Sequence, residues 1–144
     1  MEQAELDKKV GAWYEQIQLP FKSFGSSFVK SRLELHILEQ TYRTQPAELD
    51  SVQLKRLASL HRMLGRVRVE LGVLLPLYTY EVVQMEGLMQ EPSIAWRIPA
   101  YAVVGCMGVG GTLFALLGLS EFYAARSVET YRGARQEQDL AASF

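Results

Sequence analysis

IPAYAVVGCMGVGGTLFALLGLS, residues 98–120, is the longest stretch without a charge, closed by Arg97 on one side and Glu121 on the other. At a rise of about 1.5 Å per residue, twenty-three residues make a helix of roughly 33–35 Å, enough to cross a hydrocarbon core. Trp96 and Tyr101 mark one end, and Phe122 and Tyr123 the other. Aromatic rings with a polar edge prefer the headgroup layer, and Arg97 and Arg126 can extend their charges away from the acyl chains. The stretch reads as a transmembrane helix. A buried core helix would need more protein around it than 144 residues supply.

The glycines in this stretch invite a dinucleotide-loop reading, which fails. A G-x-G-x-x-G pattern starting at Gly108 needs a small residue at 113, where Leu113 stands, and too little chain follows for a βαβ unit. In lipid the same glycines serve close helix approach, because acyl chains give apolar side chains no drive to associate. Gly111 and Ala115 form a small-x-x-x-small pair. Val104, Gly111 and Gly118 lie seven apart, with Gly105, Gly108, Thr112 and Ala115 alongside. Gly105, Gly108, Gly111, Ala115 and Gly118 are therefore the expected packing face for a neighbouring transmembrane helix.

Upstream the chain reads as amphipathic helices. Leu6, Val10, Trp13, Tyr14 and Ile17 share one face of a helix over 2–18 that stops before Pro20. Loop signals follow at Leu19-Pro20 and Gly25-Ser26-Ser27. A second helix over about 27–43 presents Phe28, Leu35, Leu38 and Tyr42 on one stripe, with Leu33 and Ile37 widening it. A third opens at Gln45-Pro46-Ala47-Glu48, with proline and an acid in its first turn. Along it Leu57, Leu60, Leu64, Val67, Leu71, Leu74 and Tyr78 alternate steps of three and four, a heptad seam for a partner helix. Gly72 and Pro76 are expected to bend this helix.

Off that seam lie Lys55, Arg56, His61, Arg62, Arg66 and Arg68. A basic face of this kind suits anionic headgroups, cardiolipin among them, or an acidic partner, and Arg62, Arg66 and Arg68 are the expected contacts. Nucleic acid is not expected: residues 1–97 hold twelve basic and twelve acidic side chains, and the whole chain has a net charge of −1. A membrane hairpin of about 71–89 with 98–120, turning at 90–97, is an alternative to a single span. It places Glu81 in or near hydrocarbon, where a carboxylate is costly unless it has a use.

The organisation expected is all-α: a helical peripheral region over 1–95, a transmembrane helix over 96–122, and a short helical tail over 123–144 whose last residues fray. Arginines at 126, 132 and 135 against Arg97 alone put the C-terminus on the inner side, although the basic patch over 55–68 pulls the other way. MEQAELDKKV has no apolar core and no Arg/Ser-rich, acid-poor character, so it reads as neither a signal peptide nor a transit peptide.

Reactive groups are few. His36 and His61 are the only histidines and belong to no metal-binding spacing. Cys106, the one cysteine, falls in the apolar stretch, where a neutral thiol packs as a small hydrophobe; no intrachain disulfide is available. No nucleophile elbow, phosphate-binding lysine loop or calcium loop occurs. No cofactor, metal or catalytic activity is expected.

In layout, an amphipathic helical part joined to a glycine-containing span, Gly105 to Gly118, the chain resembles small single-pass accessory subunits of mitochondrial inner-membrane complexes, the respiratory complexes and the ATP synthase. That resemblance implies a structural accessory role beside other membrane subunits. Two alternatives stand beside it: a proton- or ion-handling hairpin using Glu81 or Glu86, and a tether or membrane-shaping protein that self-associates through the glycine face.

Overall fold

The computed structural model describes residues 3–16, 26–87 and 93–143. The architecture is all-α, with no strand among the described residues. Helix α1 runs Gln3–Gln16, α2 Ser26–Thr44, α3 Ser51–Met85 and α4 Ile94–Ala142, with a 3₁₀ turn at Pro46–Glu48 between α2 and α3. The loop signals expected around Pro20 lie outside the described residues. The chain divides into two compact units: Met1–His61 together with Ala124–Phe144, and Arg62–Tyr123.

The first unit buries large aliphatic side chains, as the core of a helical bundle does. Leu6 from α1, Leu35, Ile37 and Leu38 from α2, Leu54, Leu57 and Leu60 from α3, and Ala125 and Val128 from α4 are all buried. Leu49, just after the 3₁₀ turn, joins them. Polar contacts then fix where the two distant parts of the sequence meet. Arg135 donates to the backbone carbonyls of Leu49 at 2.6 Å and Ala47 at 3.2 Å. Gln136 donates to the Ser51 hydroxyl at 3.3 Å, and Tyr42 meets Tyr131 edge-on with ring centroids 5.6 Å apart. Arg56 donates two hydrogen bonds to Glu34, at 2.8 and 3.0 Å, and as the acceptor Glu34 holds that guanidinium above its ordinary pKa.

Residues 124–142 are helical, as the sequence reading expects of the tail. They continue α4 without a break and supply one wall of the bundle, because Ala125, Val128 and Tyr131 recur on one face at helical spacing.

Helix α3 also starts later than Pro46. The Asp50 carboxylate accepts from the Gln53 amide at 2.7 Å, and the Gln53 side chain accepts from the Asp50 amide at 3.3 Å. This reciprocal pair satisfies two amides that would otherwise lack partners, and the D-x-x-Q spacing that produces it is legible at 50–53. At the other end Gly87 takes a φ of +66°, the left-handed conformation that closes many helices and strains residues with a Cβ, and its amide reaches the Gln84 carbonyl.

Leu57→Ala empties a fully buried site and is expected to destabilise the first unit by about 2–5 kcal/mol, while Asp50→Ala removes one cap at about 1 kcal/mol. Denaturant titration followed by circular dichroism in detergent measures both.

Candidate functional site

The second unit is built differently. Its contacts run through glycine. A Cβ placed on Gly65 of α3 would stand 2.8 Å from the Gly118 carbonyl oxygen of α4, and one on Gly72 would stand 2.6 Å from the Gly111 carbonyl oxygen. The reverse holds too: a Cβ on Gly118 would meet the Gly65 oxygen at 2.8 Å, and one on Gly111 would run into Pro76 and the Gly72 oxygen. Backbone therefore lies against backbone, at distances that no other residue type permits.

The register is antiparallel. Seven residues along α3, from Gly65 to Gly72, correspond to seven back along α4, from Gly118 to Gly111. A seven-residue repeat keeps one stripe of each helix facing the other at a shallow crossing angle. The same register sets Val83 opposite Ala100, and both are buried. Ala115 meets the Gly72 position, and Val69 meets Gly118. At one end of this stripe Arg68 donates to Glu121, with 21% and 14% of their side chains exposed. The pair cancels two charges where the apolar part of the hairpin begins.

Most of the large apolar side chains point away from that contact. Leu71, Val73, Leu74, Leu75, Leu77 and Tyr78 are exposed on α3, and Val103, Val109, Leu113, Leu116, Leu117 and Leu119 on α4. Among the described residues α4 is the one helix long and apolar enough to cross a membrane, and only 11% of its most apolar window is buried by the protein. A core helix of a water-soluble domain shows the opposite.

Several residues singled out from sequence land elsewhere than expected. Of the five small residues of α4, Gly111, Ala115 and Gly118 are occupied by α3 of the same chain, whereas Gly105 and Gly108 have nothing within 4 Å of a notional Cβ. The expected leucine seam does not run the length of α3. Leu57, Leu60 and Leu64 are buried and Val67 is half-buried, but Leu71 and Leu74 are 41% and 59% exposed. From residue 65 onward the contact face is Gly65, Val69, Gly72 and Pro76, one or two positions past the seam residues Leu64, Val67, Leu71 and Leu74. The basic face is largely engaged too: Arg68 with Glu121, and Arg66 with Glu70 one turn along α3 at 2.7 Å. Arg62 stands exposed.

Sequence reasoning missed Gly65 and Gly72 as partners. The signal lay in their spacing, which repeats that of Gly111 and Gly118. Glu81 stands on the outward side near Leu77 and Tyr78, with no ion-pair or hydrogen-bond partner among the described residues. His36 lies against Trp13 at 5.9 Å, His61 is buried, and Cys106 is exposed. Among the described residues no group of three or more metal-ligating side chains comes together. Compared with family models, with curated proteins and with solved structures, the chain matches none.

Gly111→Leu forces a side chain into Pro76 and the Gly72 backbone and is expected to lower hairpin stability by at least about 1–3 kcal/mol. Gly108→Leu, in open space, is expected to be neutral or to gain up to about 1 kcal/mol of helix propensity. Thermal melts in detergent separate the two. Glu121→Gln leaves Arg68 half-enclosed without its counter-charge, and a loss of about 1.5–3 kcal/mol is expected in the same assay.

Proposed function

We propose that this chain is a structural accessory subunit of a multi-subunit membrane complex, without catalytic activity of its own, held in the bilayer by α4. The observation that carries the reading is an inversion within α3. Up to Leu64 the helix buries leucine, as water demands; beyond it the helix buries glycine and turns leucine outward. Outward leucines gain nothing from water and everything from lipid or from neighbouring membrane helices. The bundle of the first unit is then an aqueous part that meets peripheral subunits.

The proposed location is the mitochondrial inner membrane, within a respiratory complex or the ATP synthase. This rests on the layout the chain shares with small accessory subunits of those assemblies. The proposed neighbours are other membrane subunits and the bilayer, including anionic lipids such as cardiolipin near Arg62. A proton-handling role for Glu81 has less support, because a relay needs a second group and none reaches that carboxylate among the described residues. Self-association through the glycine face has less as well, since α3 covers the half centred on Gly111 and Gly118.

Purification in mild detergent tests the proposal. A fixed set of subunits at constant ratio is expected, and deleting the gene is expected to shrink or deplete that complex on native gels. A complex unchanged in size and yield contradicts it.

A further inference from the structure

We infer that α3 crosses the bilayer as well, so that the chain is a two-span helical hairpin and the surface formed by Leu71, Leu74, Leu75 and Leu77 takes lipid acyl chains. The inference rests on the membrane reading of α4 and goes beyond it. Its first ground is connectivity. If residues 98–120 span the membrane, Arg97 and Glu121 lie on opposite sides. Residues beyond Glu121 then share the far side, and they are packed into the first unit: Arg135 holds the carbonyls of Ala47 and Leu49, Gln136 holds Ser51, and Tyr131 holds Tyr42. Residues up to His61 therefore lie on that far side too. The chain between His61 and Arg97 must cross the membrane to reach the start of α4, and α3 is the element that occupies it.

The second ground is chemical. Leu71 to Tyr80 carries no charge, and its large side chains face outward. Along the glycine stripe the two backbones lie against each other, which leaves the large apolar side chains to the outer faces. The antiparallel register brings Tyr78 and Tyr80 to the same end as Tyr101 and Trp96, all of them exposed, which forms an aromatic girdle there. Glu81 falls at that girdle, five residues from Glu86, rather than at mid-bilayer. At the opposite end Arg68 pairs with Glu121 and Arg66 with Glu70, beside the exposed rings of Phe122 and Tyr123. The charge-free run between Glu70 and Glu81 rises about 16 Å, shorter than the roughly 30 Å hydrocarbon layer, so the long side chains of Arg66, Arg68, Glu70 and Glu81 extend toward the headgroups and the bilayer thins locally around α3.

Depth measurement by spin labelling tests this, because it does not depend on which way the protein inserts. In a Cys106→Ser background, Leu74→Cys and Val109→Cys are each labelled with a nitroxide and the full chain is reconstituted into phosphatidylcholine vesicles. Both positions face outward, at 59% and 65% exposure, and the register sets them level with each other. The expected result is that oxygen relaxes both labels several-fold more strongly than a water-soluble nickel chelate, to the same extent at the two sites. A label at position 109 that is deep with one at 74 that is wet overturns the second span while leaving the α4 reading intact. Two wet labels overturn the membrane reading, and the hairpin with it. Leu77→Cys supplies a second probe of α3 should the label at 74 prevent reconstitution, and is judged by the same outcomes.

Discussion

The contact of the Gly65 and Gly72 backbone with the Gly118 and Gly111 backbone is the constraint on which the rest of the hairpin depends. Four positions without a Cβ, seven apart on each helix of the pair, let two peptide backbones touch where any side chain would hold them apart. Once they touch, the register is set. Arg68 then meets Glu121, Val83 falls opposite Ala100, and the leucines from Leu71 to Leu77 and from Leu113 to Leu119 are directed outward. The attraction that holds such a pair is dispersion between closely fitted surfaces, individually weak and collectively large. It suits a solvent in which burying leucine brings no gain.

The same helix obeys two sets of rules along its length. In the first unit α3 contributes Leu54, Leu57 and Leu60 to a core that excludes water. In the second unit it contributes glycines and a proline, and Pro76 lies against Gly111 rather than at a free bend. The proline removes one backbone donor, and its ring fills the space that the facing glycine leaves open. The changeover falls at residues 64–65, with Arg62, Arg66 and Arg68 gathered next to it, where the proposed reading sets the passage from water to lipid.

Much of this was legible in the sequence. The charge-free 98–120 stretch and the all-α class follow from periodicity and length, and of the apolar stripes of α1 and α2, Leu6, Leu35 and Leu38 are buried while Trp13 and Phe28 are exposed. The limits of that reading are equally physical. A heptad of leucines and a heptad of glycines one position away have the same period, so period alone does not say which faces the partner; the solvent decides. Leu71 and Leu74 match the seam by size and spacing, yet the structure turns them outward and sets the glycines inward. The α4 glycines match a partner helix by their interval, and Gly65 and Gly72 carry that same interval within this chain. The packing of residues 124–142 against the N-terminal helices rests on contacts more than eighty residues apart in sequence, Arg135 to Leu49 among them, and no local pattern announces them.

The central claim is that hydrocarbon, not water, surrounds the glycine-packed hairpin. Washing membranes that contain the untagged chain with alkaline carbonate addresses it most directly, since this releases proteins held by ionic or peripheral contacts and retains those embedded in lipid. The expected result is that the chain stays wholly with the pelleted bilayer. Its quantitative release into the supernatant as a dispersed, helical protein contradicts the account.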